Sequence, residues 1–305
     1  MSTNQVASGA TDVKKEVAKT IITAALTGAT GSKKLNPAIP ITPEEIAEDA
    51  YACYQAGAAM VHLHMKKDDG ESPSMSVEKF KKTRALIEEK CDIIVNMTTS
   101  GEVQQIDDCA VIGSFKKEDT LRTALLELRP EVASFDIPTM NFGRSIILFP
   151  IPFLEYMGKK MIEFGVRPEI EVFDIGDIRS AISLMKQGYL ESPGHFQFCL
   201  GVAGGAGATV ENLAYMSRLI PEGSTWSAFG LGPAHLPTIF TTLALGGHVR
   251  VGLEDNLYYS KGELATNPRL VKRAADIIKI FGNDVATPNE AREILRTKNQ
   301  SASLS

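Results

Sequence analysis

Cysteine is scarce in this sequence, and its few copies lie far apart. The 305 residues include four of them, namely Cys53, Cys91, Cys109 and Cys199. A disulfide framework or a zinc knuckle would need pairs at short spacings such as Cys-x-x-Cys, and the sequence has none. We therefore expect four reduced thiols, which is the usual state of cysteine in a cytoplasmic protein.

Long apolar runs and a strong charge imbalance are also missing. No apolar stretch approaches the length of a membrane span, and residues 1–20 lack the apolar core of a signal peptide. The formal net charge of −5 argues against a surface that binds nucleic acid. These absences predict a cytoplasmic protein that binds neither membranes nor nucleic acid. They do not exclude small anionic substrates, because local charges bind those.

The sequence does contain a regular alternation of strand and helix patterns. Strand patterns lie at residues 20–26, 56–64, 91–97, 132–136, 167–174, 196–201, 225–229 and 248–253. Helix patterns follow from Thr42-Pro43 and then at residues 75–90, 120–128, 149–165, 177–187, 210–219 and 236–245. We predict a flexible segment over residues 1–19 and one (β/α)8 TIM barrel over residues 20–305, with extra C-terminal helices at 267–281 and 287–292. A doubly wound open sheet is the competing topology.

The pair His62 and His64 is the first candidate functional feature. Side chains alternate along a strand, so both imidazoles lie on one face and can reach a single metal ion. A charged turn at residues 65–70 follows, which places the pair at the C-terminal end of its strand, where barrels carry their sites. Two strand-end histidines bonded to backbone carbonyls would give the same short pattern, so a third ligand must decide.

The eighth predicted strand carries a second set of polar residues. Alternation predicts that Arg250 and Glu254 face the barrel interior, where a charge is costly unless it is paired or used. A structural ion pair between them is one explanation. The other is that Glu254 completes a metal site with His62 and His64 and leaves an open position for substrate. Asp255, the next residue, would then be free to act as a base.

These segments resemble the β-keto acid cleavage enzyme family. The resemblance rests on residues 249–258 (VRVGLEDNLY), on Val61-His62-Leu63-His64 and on residues 168–174 (PEIEVFD). Residues 41–46 (ITPEEI) and 140–143 (MNFG) are similar too, so it extends from about residue 20 to the C-terminus. The motifs are specific in combination, although no single one is.

The resemblance implies a zinc-dependent barrel enzyme, with another divalent metal as the alternative. Its activity would be the condensation of a β-keto acid with acetyl-CoA to give acetoacetate and a new acyl-CoA. The implied metal ligands are His62, His64 and Glu254, and the implied general base is Asp255, supported by Arg250. The resemblance also implies a homo-oligomer, with a tetramer favoured.

Two loops are further candidates for binding. Hydroxyls and amides of Thr98, Thr99, Ser100 and Gly101 would hold the substrate carboxylate, although a plain turn explains them equally. Gly204, Gly205 and Gly207 precede a helix and would admit a phosphate or the CoA arm, but a tight turn is the simpler explanation. Glu171 is a candidate substrate contact and the next candidate for the base. We expect His195, at the opposite end of the barrel, and His235 to be structural.

We expect the tail of the substrate to be neutral or anionic, with a neutral tail favoured. Family members that act on an amino-bearing substrate carry an acidic residue after the Gly-Ala of the first loop, whereas this chain has Thr30. Without that carboxylate, a buried ammonium would lack its partner. No loop arginine is clearly placed for a second carboxylate, although Arg144 would reverse that preference if it reached the site. Glu169 or Glu171 would replace the missing acid if either faced the tail.

Two other classes of protein remain as alternatives. A metal-dependent hydrolase of the amidohydrolase type also uses His-x-His on a barrel strand and an aspartate after the eighth. Those enzymes carry the pair on the first strand and further histidines after the fifth and sixth, which this sequence lacks. A barrel that only binds or scaffolds would leave its inward polar residues without compensation.

Overall fold

Eight parallel strands pair in sequence order and close into a barrel. The computed structural model describes residues 17–297. Its barrel strands are β1 Ile22–Ala25, β2 Met60–Leu63, β3 Ile94–Met97, β4 Val132–Asp136, β5 Arg167–Val172, β6 His195–Leu200, β7 Thr225–Gly230 and β8 His248–Val251. Because β8 pairs with β1, the sheet has no free edge. The predicted (β/α)8 barrel is confirmed, and the open doubly wound sheet is wrong.

Helices connect successive strands around the outside of the barrel, and the last two described helices follow β8. The helices are α1 Pro43–Ala56, α2 Val77–Glu88, α3 Thr120–Thr123, α4 Ile151–Phe164, α5 Ile175–Lys186, α6 Val210–Ser217, α7 His235–Ala244, α8 Asn267–Phe281 and α9 Pro288–Leu295. The start of α1 shows why a helix boundary can be predicted from sequence, because capping residues mark it. The Thr42 side chain accepts from the amide of Glu45, whose carboxylate accepts from the amide of Thr42.

Several predicted boundaries change for local reasons. The helix predicted over residues 120–128 is a short α3 followed by a 3-10 helix, Ala124–Leu128. The fifth strand ends at Val172 rather than residue 174, because the Asp174 side chain caps α5. His195, predicted to precede its strand, is instead the first residue of β6.

A small four-stranded sheet after β3 and β4 was not predicted. Its strands are Val103–Ile106, Cys109–Gly113, Thr139–Phe142 and Ser145–Leu148. Short two-stranded pairs join Lys19–Thr20 to Asp284–Val285, Met65–Lys66 to Pro73–Ser74, and Tyr258–Ser260 to Glu263–Leu264. The four-stranded sheet extends from the carboxyl ends of the barrel strands, so it adds walls to that end of the barrel.

The opposite end of the barrel is closed by apolar side chains and by α9. Ile21, Met60, Ile94 and Val132 pack there with Ala291 and Leu295. Arg292 fixes α9 in place, because its guanidinium bonds the carboxylates of Glu131 and Asp92 at 2.8 Å each. The cavity described below therefore lies at the C-terminal ends of the strands, as predicted.

Most of the predicted N-terminal segment, residues 1–19, lies outside the described residues. Lys19 already belongs to a short strand beside Asp284. Within residues 17–297, no helix combines the length and the apolar character needed to cross a membrane.

Candidate active site

A cavity of about 360 Å³ occupies the C-terminal end of the barrel. Many of the residues predicted from the sequence line it together, namely Thr30, His62, His64, Thr98, Ser100, Glu171, Arg250, Glu254 and Asp255. These residues come from loops and strands at widely separated positions in the chain. The barrel therefore assembles the predicted metal, base and substrate groups in one place.

Three of these side chains form a compact group that could hold a metal ion. The Nε2 atoms of His62 and His64 lie 3.7 and 3.5 Å from Oε1 of Glu254. One potential ligand atom from each residue lies within 4.8 Å of the other two. Both imidazoles are buried, and their ring centroids are 5.1 Å apart.

Glu254 reaches this group from a turn rather than from a strand. The sequence predicted that it continues the alternation of the eighth strand, but β8 ends at Val251. Gly252 then adopts φ +149°, and a Cβ there would lie 2.0 Å from the carbonyl oxygen of Ala25. Gly28 on the first loop also packs directly against the Glu254 side chain. Two glycines thus allow the close approach that brings Glu254 to the histidines.

The chemistry of these three residues fits a metal ion. Among the described residues, the Nδ1 atoms of both histidines and Oε2 of Glu254 are buried without a hydrogen-bond partner. Burial is the main cause that lowers the pKa of His62 to about 4, so its imidazole is neutral at pH 7, as metal binding requires. Burial would raise the pKa of Glu254, but Arg250 and the imidazoles hold it below its usual value.

Arg250 organises the other side of the cavity. Its Nε and Nη2 donate to the two carboxylate oxygens of Asp255 at 3.0 and 3.1 Å. Nη2 also donates to Glu254 at 2.8 Å, and Nη1 donates to Glu171 at 3.3 Å. The guanidinium lies 4.8 Å from the ring centroid of Phe229. This buried cation is therefore surrounded by acceptors, and the Asp255 carboxylate is held in a fixed orientation.

Three buried carboxyl groups of the cavity, those of Asp255, Glu171 and Asp136, bind protons more readily than exposed acids do. Burial raises the pKa of Asp255 to about 6 against the opposing effect of Arg250. Burial, followed by the charge of Asp136, raises the pKa of Glu171 well above its usual value. Burial likewise raises the pKa of Asp136. This side of the cavity is thus suited to general acid–base chemistry near neutral pH.

The loop after β3 divides between the cavity and the protein interior. Thr98 and Ser100 line the cavity, and their hydroxyl oxygens are 3.3 Å apart. Thr99 does not line it, because its amide and hydroxyl bond Ser134 at 3.0 Å each. A Cβ on Gly101 would lie 2.8 Å from the Met75 sulfur, which explains that glycine by packing. Of the four predicted residues, two remain available to a substrate carboxylate.

In the glycine-rich loop after β6, the residues that precede the glycines line the cavity, and the glycines do not. Val202 and Ala203 line the cavity, whereas Gly204, Gly205 and Gly207 are not among the lining residues. A Cβ on Gly204 would lie 2.0 Å from the carbonyl oxygen of Asn141, and one on Gly205 would lie 2.8 Å from that of Phe173. Close backbone packing accounts for these two glycines, and a role of the loop in binding CoA stays a prediction.

Several lining residues were missed by the sequence analysis. Asp136 ends β4, so the rule that drew attention to the other strand ends would have found it. Cys199 lies near the end of β6, with its sulfur 3.9 Å from a carboxylate oxygen of Glu171. Phe142 and Ile147 come from the unpredicted four-stranded sheet and make part of the wall apolar.

A (β/α)8 barrel whose strand-end cavity holds a fixed carboxylate and three side chains that could hold a metal ion has the features of a barrel enzyme. The family model described as beta-keto acid cleavage enzyme matches residues 19–296. The chain therefore belongs to the beta-keto acid cleavage enzyme family, and the resemblance predicted from its motifs is confirmed.

Individual relatives agree with this membership. The 3-keto-5-aminohexanoate cleavage enzyme of Fusobacterium nucleatum is 44% identical over 92% of this chain and 98% of its own length. The 3-dehydrocarnitine:acetyl-CoA trimethylamine transferase of Rhizobium meliloti is 34% identical over 90% of this chain and 95% of its own. Apo ObcA, at 20% identity and a TM-score of 0.70, covers 86% of this chain, which spans 66% of ObcA. That last similarity concerns the fold alone.

Proposed function

We propose that this protein is a metal-dependent enzyme that condenses a β-keto acid with acetyl-CoA and releases acetoacetate and a new acyl-CoA. The observation that carries the proposal is one cavity holding both a His2Glu group and a carboxylate fixed by Arg250. Family membership and an acetyl-CoA-dependent relative support it. No observation favours the amidohydrolase alternative.

His62, His64 and Glu254 hold the metal in this proposal. Two neutral imidazoles and one carboxylate suit zinc at a site with an open position, although nickel or cobalt would also fit such ligands. A bound divalent ion would act as a Lewis acid that polarises the substrate keto group.

Asp255 is the general base. It takes a proton from C2 of the substrate, the carbon between the keto and carboxylate groups. Arg250 keeps the Asp255 carboxylate oriented through two hydrogen bonds. Thr98 and Ser100 offer hydroxyls to the substrate carboxylate from the loop after β3. The loss of the C2 proton leaves a carbon nucleophile.

The remaining bond changes follow from that nucleophile. C2 bonds to the carbonyl carbon of acetyl-CoA, and the thiolate of CoA leaves. The thiolate then adds to the original keto carbon, after which the bond between C2 and that carbon breaks. The products are an acyl-CoA that carries the substrate tail and acetoacetate, whose C2 recovers the proton from Asp255. Glu171 is the alternative base, because Arg250 holds it in the same cavity.

The substrate tail is proposed to be neutral rather than dicarboxylic. Thr30 lines the cavity without offering a charge, and Arg144 is exposed and is not a lining residue. Arg250 lines the cavity, but it already bonds three carboxylates. A second substrate carboxylate would therefore lack a free cation, and an ammonium would lack the acid that Thr30 replaces.

We also propose a cytoplasmic homo-oligomer, as a tetramer. Exposed apolar side chains on α7 and α8 support self-association, and they include Leu236, Phe240, Ile280 and Phe281. Use of acetyl-CoA as the second substrate supports the location. Light scattering on the purified protein measures the assembly, and a monomer at micromolar concentration would contradict it.

The test of the function is a product assay with controlled metal content. The purified protein receives a β-keto acid and acetyl-CoA, and acetoacetate and the new acyl-CoA are quantified by mass spectrometry. Both products should form in equal amounts, disappear after chelation and return with zinc. A hydrolase would need the metal but would consume no acetyl-CoA. A scaffold protein would form no product with or without metal.

A further inference from the structure

Inside the barrel, next to the metal-binding histidines, four side chains each have a buried polar atom without a hydrogen-bond partner among the described residues. These atoms are Nδ1 of His62, Oδ1 of Asn96, Oε1 of Glu169 and Nε2 of His195. The four side chains are at most 1% exposed. Because buried polar atoms in folded proteins are nearly always satisfied, such a concentration points to a bridging ligand or a function.

Glu169 lies at the centre of this group. Its Oε2 accepts a hydrogen bond of 2.6 Å from Asn96, which pairs with His62 across β2 and β3. Its Oε1 lies 3.7 Å from Nε2 of His195, and the Nδ1 of that ring lies 2.9 Å from the Thr225 hydroxyl. Glu169 is thus held from two sides by residues that are not proposed to react.

The third neighbour of Glu169 is His62. A nitrogen of His62 and a carboxylate oxygen of Glu169 lie within 4.8 Å of each other, and no direct hydrogen bond joins them. One water molecule spans such a separation. The unpaired atoms of His62, Glu169 and His195 would supply the two to four polar partners that a buried water needs.

We propose that Glu169 is a positioning residue for the metal centre, and that through one bridging water it accepts the hydrogen of His62 Nδ1. That contact fixes the tautomer in which Nε2, the atom beside Glu254, is free to bind the metal. The inference rests on the proposed metal site. Metal-binding histidines usually donate their second N–H in this way, often to a carboxylate.

A purely structural role for Glu169 would not explain its unpaired oxygen. A carboxylate that served only packing would leave Oε1 with the long 3.7 Å contact to Nε2 of His195 in place of a full hydrogen bond, which costs stability. A role as a direct ligand fits less well, because Asn96 already occupies Oε2 and Glu169 is not among the residues that line the cavity. Support of His62 accounts for both the position and the unpaired atoms.

The test replaces Glu169 by glutamine and measures zinc affinity by competition with a chelator. Glu169→Gln should weaken zinc binding by about 10–100-fold, the effect usual for the outer partners of metal ligands. The control is Ser227→Ala, which removes a buried hydroxyl elsewhere inside the barrel. That hydroxyl donates to Gln197, so its loss should leave the zinc affinity unchanged. Equal affinity of a folded Glu169→Gln variant and the wild type would overturn the inference.

A second measurement needs no variant. The sequence has five histidines, so side-chain nitrogen NMR of the zinc-loaded protein can distinguish their tautomers. We expect His62 to carry its hydrogen on Nδ1, and a metal-bound Nδ1 would overturn the inference. If the wild type bound no zinc at all, the proposed metal site would fail and this inference with it. Wild-type zinc binding that is indifferent to Glu169 defeats only the role of Glu169.

Discussion

The two sides of the cavity differ in how far their hydrogen bonds are satisfied. On the base side, formed by Arg250, Asp255 and Glu171, each nitrogen of the guanidinium donates to a carboxylate. On the metal side, formed by His62, His64 and Glu254, each side chain keeps a buried atom without a partner among the described residues. The base side is complete by itself, whereas the metal side keeps buried atoms that still need partners.

The two sides therefore differ in how the fold orients their side chains before a substrate binds. A saturated ion-pair network fixes the direction of Asp255 before any substrate binds, so orientation is built into the fold. The metal side instead places two imidazoles beside Glu254, and their Nδ1 atoms have no hydrogen-bond partner among the described residues. Glu254 contacts both sides of the cavity. Its Oε1 accepts a hydrogen bond from Arg250, whereas its Oε2 has no hydrogen-bond partner among the described residues.

The largest effect is expected from removing the cation of the base side. Arg250→Ala would leave three buried carboxylates without their shared partner, which should cost about 3–5 kcal/mol of folding free energy and abolish turnover. Chemical denaturation and the product assay measure the two losses. Arg250→Lys keeps the charge but loses the paired geometry, so it should recover stability more than activity. Unchanged stability of Arg250→Ala would contradict the central role of the guanidinium.

Removal of metal ligands should have a large effect that is confined to the metal side. His62→Ala and Glu254→Gln should lose most of the bound metal, and with it the activity, because each removes one of three ligands. Elemental analysis of the purified variants measures this directly. His248→Gln, which changes a buried histidine outside the proposed site, is the matched control and should keep its metal. Full retention of metal by both variants would show that His62 and Glu254 are not metal ligands.

The next effect concerns the base alone. Asp255→Asn should keep the fold and the metal but lose turnover by at least about 100-fold, because amide nitrogen and oxygen cannot take the C2 proton. Metal content and kcat are measured on the same preparation. Asp276→Asn, half-buried on α8 and outside the cavity, serves as the control for loss of an aspartate. Near-normal turnover in Asp255→Asn would transfer the role of base to Glu171.

Alternation along strands predicted many of the side chains that line the cavity, and its failures have local causes. His62 was predicted from the strand pattern, and it faces the cavity with His64. Glu254 was also expected to face the barrel interior, and it lines the cavity, but it reaches it from a turn because Gly252 ends the regular strand first. Asp136, at the end of β4, was passed over, since a single carboxylate at a strand end carries no motif of its own. Glu169 was considered only as a replacement for the acid that Thr30 lacks, and it does not line the cavity.

The four-stranded sheet was beyond sequence reasoning for a different reason. Its first strand, Val103–Ile106, is exposed along its whole length, so it shows no burial pattern. Its pairing joins Cys109–Gly113 to Ser145–Leu148, two segments separated by α3 and β4. A strand that has no apolar face and pairs with a distant segment shows no alternating hydrophobic pattern from which it could be predicted. The apolar wall that it gives the cavity, including Ile147, therefore became visible only in the structure.

The smallest expected effect concerns the substrate tail, which lies beyond both sides. A panel of β-keto acids with neutral, dicarboxylic and amino-bearing tails, assayed with acetyl-CoA, should give the highest kcat/KM for a neutral tail, by about tenfold. Thr30→Glu should move the preference toward the amino-bearing acid, and Thr30→Gln, which has the same size without the charge, should not. The Fusobacterium relative is named for an amino-bearing substrate, so the comparison is a sharp one. A clear wild-type preference for the amino-bearing acid would show that Thr30 does not set specificity, and it would direct attention to Asp136 and Glu171, the acids that already line the cavity.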